Sequence, residues 1–374
     1  MRSAARYLIF ALVLSLFESG LAFEPELVSE LPAEGRIVGG DVLHGNLVFS
    51  SPDRLWVSTP EGKESFQMDL KPGQGIVASQ DGEFFGITTY SKKVPAGFLA
   101  ARKFELYSAD GKKLWEIDDP KASEFYISNR AELIVGISAG NETPKSGLAF
   151  YDRSGQMLSS TTVGFLNGVS FSANGKRFFA NSAKDGLMSF GDSGELEDNL
   201  GPCDRFAVSP DGEWVATVLE GRLRLFRQGQ PTEFSPQIDP LVRSMSFSLG
   251  NQYLAVLDKK NLQLFEVANG QLLWKHTLDQ AGLSFISVDV SAGAKRVIAG
   301  VDFDRGREAG RHQRHTKGLV YVLDKKGEIA WQREFTYKLW STLFPRVRFS
   351  ADGTSFSVLT RERAYLFDAG RPDK

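Results

Sequence analysis

The chain has 374 residues, 42% of them hydrophobic, and its 44 basic and 46 acidic side chains leave a formal charge of −2. That is ample apolar material for a folded core, and it excludes the strongly basic balance that a nucleic-acid-binding chain carries. Cys203 is the sole cysteine, which excludes an internal disulfide.

In chain order the first feature is an export pattern. Arg2 and Arg6 precede an apolar run from Tyr7 to Phe17, followed by the small-residue stretch Gly20-Leu21-Ala22. A basic flank, a short apolar stretch and small residues at a cleavage position describe a secretory signal peptide over 1–22. The run is well short of the ~20 residues that span a bilayer, so no stable membrane anchor is expected once the signal is removed. No cysteine follows it to carry a lipid. A large exported chain without disulfides fits a bacterial periplasm, or bacterial secretion, better than an animal extracellular space.

Residues 23–35 hold one strand-like run, Pro25 to Leu31. Residues 36–374 then form a repeat. Strand-like segments at 37–43, 46–50, 54–58 and 64–68 are followed by seven copies of one phrase, a hydrophobic strand ending in Ser, a turn, and a second hydrophobic strand. The marker serines are Ser79, Ser128, Ser172, Ser209, Ser248, Ser291 and Ser350, between 37 and 59 residues apart. Their mean spacing of about 45 is that of a four-stranded propeller blade. Helical repeats would need apolar residues at helical spacing over ten or more positions, whereas the chain shows period-2 runs such as Arg222-Leu223-Arg224-Leu225. Trp214 to Val218 and Phe356 to Leu359 read as similar half-buried strands. The Asp-Gly and Asn-Gly pairs after the serines suit tight hairpins because glycine accepts positive φ. A second hairpin follows in most units, clearest from Phe104 through Gly111 to Trp115.

The expected fold is therefore all-β: one β-propeller of four-stranded antiparallel blades, eight in number, with seven as the alternative. The last unit has three strands of its own, and the strand at 25–31 supplies the fourth, closing the ring and removing exposed edges.

The pairs Gly111/Trp115, Gly270/Trp274 and Gly327/Trp331 resemble the repeat of quinoprotein-type (pyrroloquinoline-quinone-like) β-propellers. The Ser-x-Asp-Gly phrases are similar to those of WD-repeat-like propellers. The resemblance spans about 36–370 and implies that each tryptophan docks on the neighbouring blade. The chain departs from both groups: it has neither a Trp-Asp nor a Gly-His dipeptide, and Ser159 stands at the tryptophan position after Gly155. Quinoprotein dehydrogenases are longer and use a vicinal cysteine pair and calcium-binding carboxylates; one cysteine cannot form that pair. The resemblance implies the scaffold without its catalytic apparatus, and so the class of periplasmic adaptors that includes the propeller subunit of the outer-membrane assembly machine.

Function on such a scaffold lies in the loops. Three B–C connections are long, at 91–103, 139–147 and 302–318, and belong on one face. In the third, Arg307, Arg311, His312, Arg314 and His315 make a basic cluster that grips an anionic ligand or an acidic partner, or else a solvated hairpin extension. Arginine offers its planar fork to carboxylate or phosphate. In the first, Lys92, Lys93 and Phe98 combine charge with an aromatic side chain that either anchors a partner, as residues carrying interface energy do, or folds back on the propeller rim. Two histidines at His-x-x-His are too few for zinc, Asp302 and Asp304 are an ordinary polar hairpin base, and Asn141-Glu142-Thr143 is a glycosylation acceptor only in form. His44 and His276 have no readable nucleophile beside them. The expectation is a noncatalytic binding scaffold with a protein or anionic ligand as partner, no cofactor, no metal and no nucleic acid. The alternative is a propeller enzyme, either a diminished quinoprotein oxidoreductase or a metal-dependent hydrolase.

Overall fold

The computed structural model describes residues 23–32, 36–40, 46–51, 53–59, 63–90, 101–118, 120, 122–139, 145–232, 235–303, 317–336, 345–350, 353–360 and 363–370. Within them eight four-stranded antiparallel sheets follow one another around a ring. Their innermost strands, A, are Arg36–Gly40, Gln74–Ala78, Glu124–Ile127, Leu166–Phe171, Arg205–Val208, Ser244–Phe247, Leu283–Val290 and Arg346–Phe349, in blades 1 to 8. The seven-blade alternative is excluded. Blade 8 takes its outer strand from the other end of the chain: Glu26–Pro32 pairs antiparallel with Arg363–Asp368, from Glu26 opposite Asp368 to Pro32 opposite Arg363. The Arg363 guanidinium holds the Glu30 carboxylate across that seam.

All seven marker serines make the same contact. Each Oγ accepts the backbone N–H of the residue five positions on, at 2.9–3.1 Å. Each serine N–H donates to the carbonyl of that same residue, and each serine carbonyl accepts from the residue three positions on. The serine thus closes a four-residue turn, longer than the tight hairpin read from the Asp-Gly and Asn-Gly pairs. The residue three positions on always has positive φ, including Ala131 at 51° and Ala294 at 49°. Glycine fills that place in four blades because it adopts this conformation without a Cβ clash.

The blades are held to one another by apolar clusters at each of the eight junctions. Alternate residues of one strand serve opposite neighbours. Phe178 packs toward blade 3 and Phe179 toward blade 5; Leu254 and Val256 face blade 5, whereas Ala255 and Leu257 face blade 7. This corrects the half-buried reading of strand B. Val215 to Val218 and Phe356 to Val358 are buried on both faces, because strand B lies sandwiched between two neighbours. Arg222 to Leu225 does alternate exposed and buried as expected, since strand C sits farther out where the blades diverge.

Outer strands dock as the resemblance implied. The Trp115 ring lies against Gly155 of the next blade, 2.7 Å from where a Cβ would stand, and its Nε1 donates to the Arg153 carbonyl at 2.8 Å. The Trp274 ring likewise packs on Gly327, 2.7 Å from where a Cβ would stand, without an indole hydrogen bond. Ser159, where tryptophan is missing, still reaches the next blade: its Oγ donates to the Ser193 carbonyl at 2.9 Å.

Candidate functional site

Antiparallel order puts the A–B and C–D turns at one end of the ring and the B–C and D–A connections at the other. The three long connections leave from the second end. Among the described residues blade 7 has the longest set of strands, eight residues each: Leu283–Val290, Arg296–Phe303, Lys317–Asp324 and Ile329–Thr336. The residues singled out from sequence, Lys92, Lys93, Phe98, Arg307, Arg311, His312, Arg314 and His315, all lie outside the described residues, as do Asn141, His44 and the segment 1–22. The described Asp302 is buried at the base of the third connection. His276 faces the next blade, its Nδ1 3.1 Å from the Gly327 carbonyl.

At the A–B end the serine turns, with strand A residues just before them in blades 6 to 8, assemble a second feature. Their polar residues hydrogen-bond from blade to blade around the axis. The Asp81 carboxylate of blade 2 accepts from the Arg130 N–H of blade 3 at 2.8 Å, and the Asn129 amide reaches the Ala173 carbonyl of blade 4 at 2.8 Å. Asn174 donates to the Asp211 carbonyl of blade 5 at 2.9 Å, and the Asp211 carboxylate accepts from Asn251 of blade 6. Ser246 of blade 6 donates to Asp289 of blade 7 at 2.7 Å, and the same carboxylate accepts the Phe349 N–H of blade 8 at 2.7 Å. Arg348 of blade 8 then crosses to blade 2, where the Gln80 amide oxygen accepts from its guanidinium. Burial raises the Asp289 carboxyl above the usual carboxylate range, and the Arg348 charge with the Phe349 and Ser246 hydrogen bonds pulls the other way.

This girdle encloses the mouth of the axial channel, a cavity of about 420 Å³. Its two sides differ. On the side of blades 4 to 6 the half-buried Phe171, Phe206 and Met245 stand beside Ser170 and Ser246, and Gln80, Asn129, Asp289 and Arg348 line the rest. The volume falls in the 300–1,000 Å³ range of small-ligand pockets. Among the described residues no three of His, Cys, Asp or Glu converge as a metal site would require.

Sequence reasoning looked to the loops and passed over this cavity, although a signal was present. Two positions before each marker serine stand Val77, Tyr126, Ser170, Ala207, Ser246, Asp289 and Arg348. Those of blades 4 to 8 line the cavity. A charge at a position that is apolar or uncharged elsewhere in the repeat marks the blades where the ring is specialised.

No family model matches the chain, and no curated protein matches it. Among solved structures it is similar to the C-terminal WD40 domain of Sif2, at 12% identity and a TM-score of 0.58, over 93% of this chain and 99% of that one. At that identity the likeness is one of fold, that of a β-propeller.

Proposed function

We propose that the protein is an exported, noncatalytic propeller that binds a protein partner across the end of the ring bearing its long B–C connections. The observation that supports this reading is topological: the strands that flank the three long B–C connections all end at the same end of the ring, and binding commonly resides in long loops on such a frame. Export rests on the basic-apolar-small pattern of 1–22, and places the mature chain in a bacterial periplasm or outside the cell. The basic residues Arg307, Arg311 and Arg314 suit an acidic partner surface. The docking of Trp115 and Trp274 on the next blade's glycine supports a quinoprotein-like lineage for the scaffold. The test removes residues 304–316 and compares wild-type and shortened protein, matched for melting temperature, in affinity capture with quantitative mass spectrometry. Loss of a specific co-purifying protein is the expected result. An unchanged set of bound proteins overturns the assignment of this end.

A further inference from the structure

The cavity at the A–B mouth carries a positive charge that the girdle does without elsewhere. Apolar material holds every junction without it, and a polar girdle can be made from turn residues alone, as Asn129 and Asn174 do. Yet blade 8 places an arginine there, the one cation among the described residues lining the cavity.

The hydrogen-bonding capacity of the polar wall is unevenly spent. Asp289 already accepts from the Ser246 hydroxyl and the Phe349 amide, one on each oxygen. Asp81 accepts from the Ser79 hydroxyl and the Glu83 amide on one oxygen and from the Arg130 amide on the other. Asn129 accepts from the Asp81 amide and donates to the Ala173 carbonyl. These groups hold the ring and have little left for a guest. Arg348 differs. A guanidinium carries five N–H donors in a planar fork; its charge acts on the Asp289 carboxylate, but the hydrogen-bond partner it holds across the mouth is a neutral amide, Gln80. A carboxylate is a stronger acceptor than an amide and matches the fork in two parallel bonds. Across the cavity, on blades 4 to 6, stand the half-buried side chains Phe171, Phe206 and Met245. The arrangement asks for a molecule with one anionic, planar end and one apolar end.

We propose that this cavity binds a carboxylate carried on an apolar group, with Arg348 gripping the carboxylate in place of Gln80 and the apolar group against Phe206 and Met245. Two sources share that chemistry: a free amphiphilic acid, and the C-terminus of a chain ending in a hydrophobic residue. The site is at the opposite end of the ring from the proposed partner face and stands apart from that reading.

Isothermal titration calorimetry on the full mature chain tests it with three probes: N-acetyl-phenylalanine, its C-terminal amide, and a hexapeptide ending in free phenylalanine. The expected result is saturable binding of the acid, weakened ~10-fold or more in the amide, as a charge-assisted bidentate contact implies. The hexapeptide binding more tightly than the free acid assigns the site to chain ends, and equal or weaker binding assigns it to free acids. Arg348→Gln should abolish discrimination between acid and amide. Gln80→Ala, which frees the fork, should bind the acid at least as well as the wild type. Both variants are first compared with the wild type in melting temperature, and the 304–316 deletion should bind the acid unchanged. No binding of the acid by folded wild-type protein, equal binding of acid and amide, or undiminished discrimination in Arg348→Gln would each overturn the proposal.

Discussion

Single residues carry the junctions between blades, and glycines show it most clearly. Gly155 has φ +86°, and a Cβ there would stand 2.7 Å from the Trp115 ring; Gly201 has φ +81° with open space around it. Gly201→Ala should therefore cost only the left-handed backbone penalty, roughly 1–2 kcal/mol. Gly155→Ala adds a clash with a docked ring and should cost roughly 2–5 kcal/mol in all. Urea melts of the two variants check the difference, and equal losses would mean that the docking of Trp115 contributes nothing. Cys203 and Tyr126 supply a pH signature. Burial first, then the Asp204 charge, pushes the Cys203 thiol from near 9 up to about 12. Burial first, then the Glu124 charge and hydrogen bond, takes the Tyr126 phenol from 10.0 to about 12. Both groups are held neutral in the folded chain, so the unfolded chain loses its protons at lower pH. Their contribution is intact below about 9 and is lost as pH rises from there toward about 12. Melting temperature should fall across that window, and less steeply in Cys203→Ala. The thiol should react with a disulfide reagent only under unfolding conditions.

At the scale of the element, the repeated phrase is a device with two jobs. Its serine ties strand A to strand B through a buried hydroxyl, and its polar turn residue ties one blade to the next. Ser209→Ala removes the partner of the Trp214 N–H and should cost about 1–3 kcal/mol, the range for leaving such a group unsatisfied. Asp289→Ala removes partners from both Ser246 and Phe349 and should cost at least as much, whereas Asp289→Asn keeps one acceptor and should lose less. Chemical denaturation of the three variants orders them, and an Asn variant as weak as the Ala variant would contradict the account. The same device explains what could and could not be read in advance. Seven serines at blade spacing made the fold legible because each does an obligatory local task. The cavity was hidden because its residues, among them Gln80, Asp289 and Arg348, are embedded in the phrase and differ from their counterparts without disturbing it. Strands B looked half-buried because their small and hydroxyl-bearing residues, such as Ala216 and Ser357, interrupt the apolar pattern; both are in fact buried against a neighbouring blade.

The whole molecule is a ring that closes between blades 8 and 1, where Leu47, Phe49 and Ala364 are buried together. The seam is reinforced from outside by the strand Glu26–Pro32. Phe23, just before it, packs on the blade 7–8 core beneath the Arg296 guanidinium, which lies 3.8 Å from its ring centroid. A chain beginning after Pro32 loses that ladder and should be roughly 3–6 kcal/mol less stable, at ~1 kcal/mol for each ladder bond; an unchanged denaturation midpoint would show that the ring does not depend on its N-terminal strand. The ring in turn separates two ends with different tasks, a cavity at the A–B mouth and the long connections opposite. Site-specific photo-crosslinking in the native host tests that division most directly. A crosslinker at Lys317, exposed at the base of the third long connection, is compared with one at Lys326 in the C–D turn at the other end of the same strand. The account predicts a discrete protein adduct from position 317 and none from 326. An adduct from 326 alone, or no adduct from either, would contradict it.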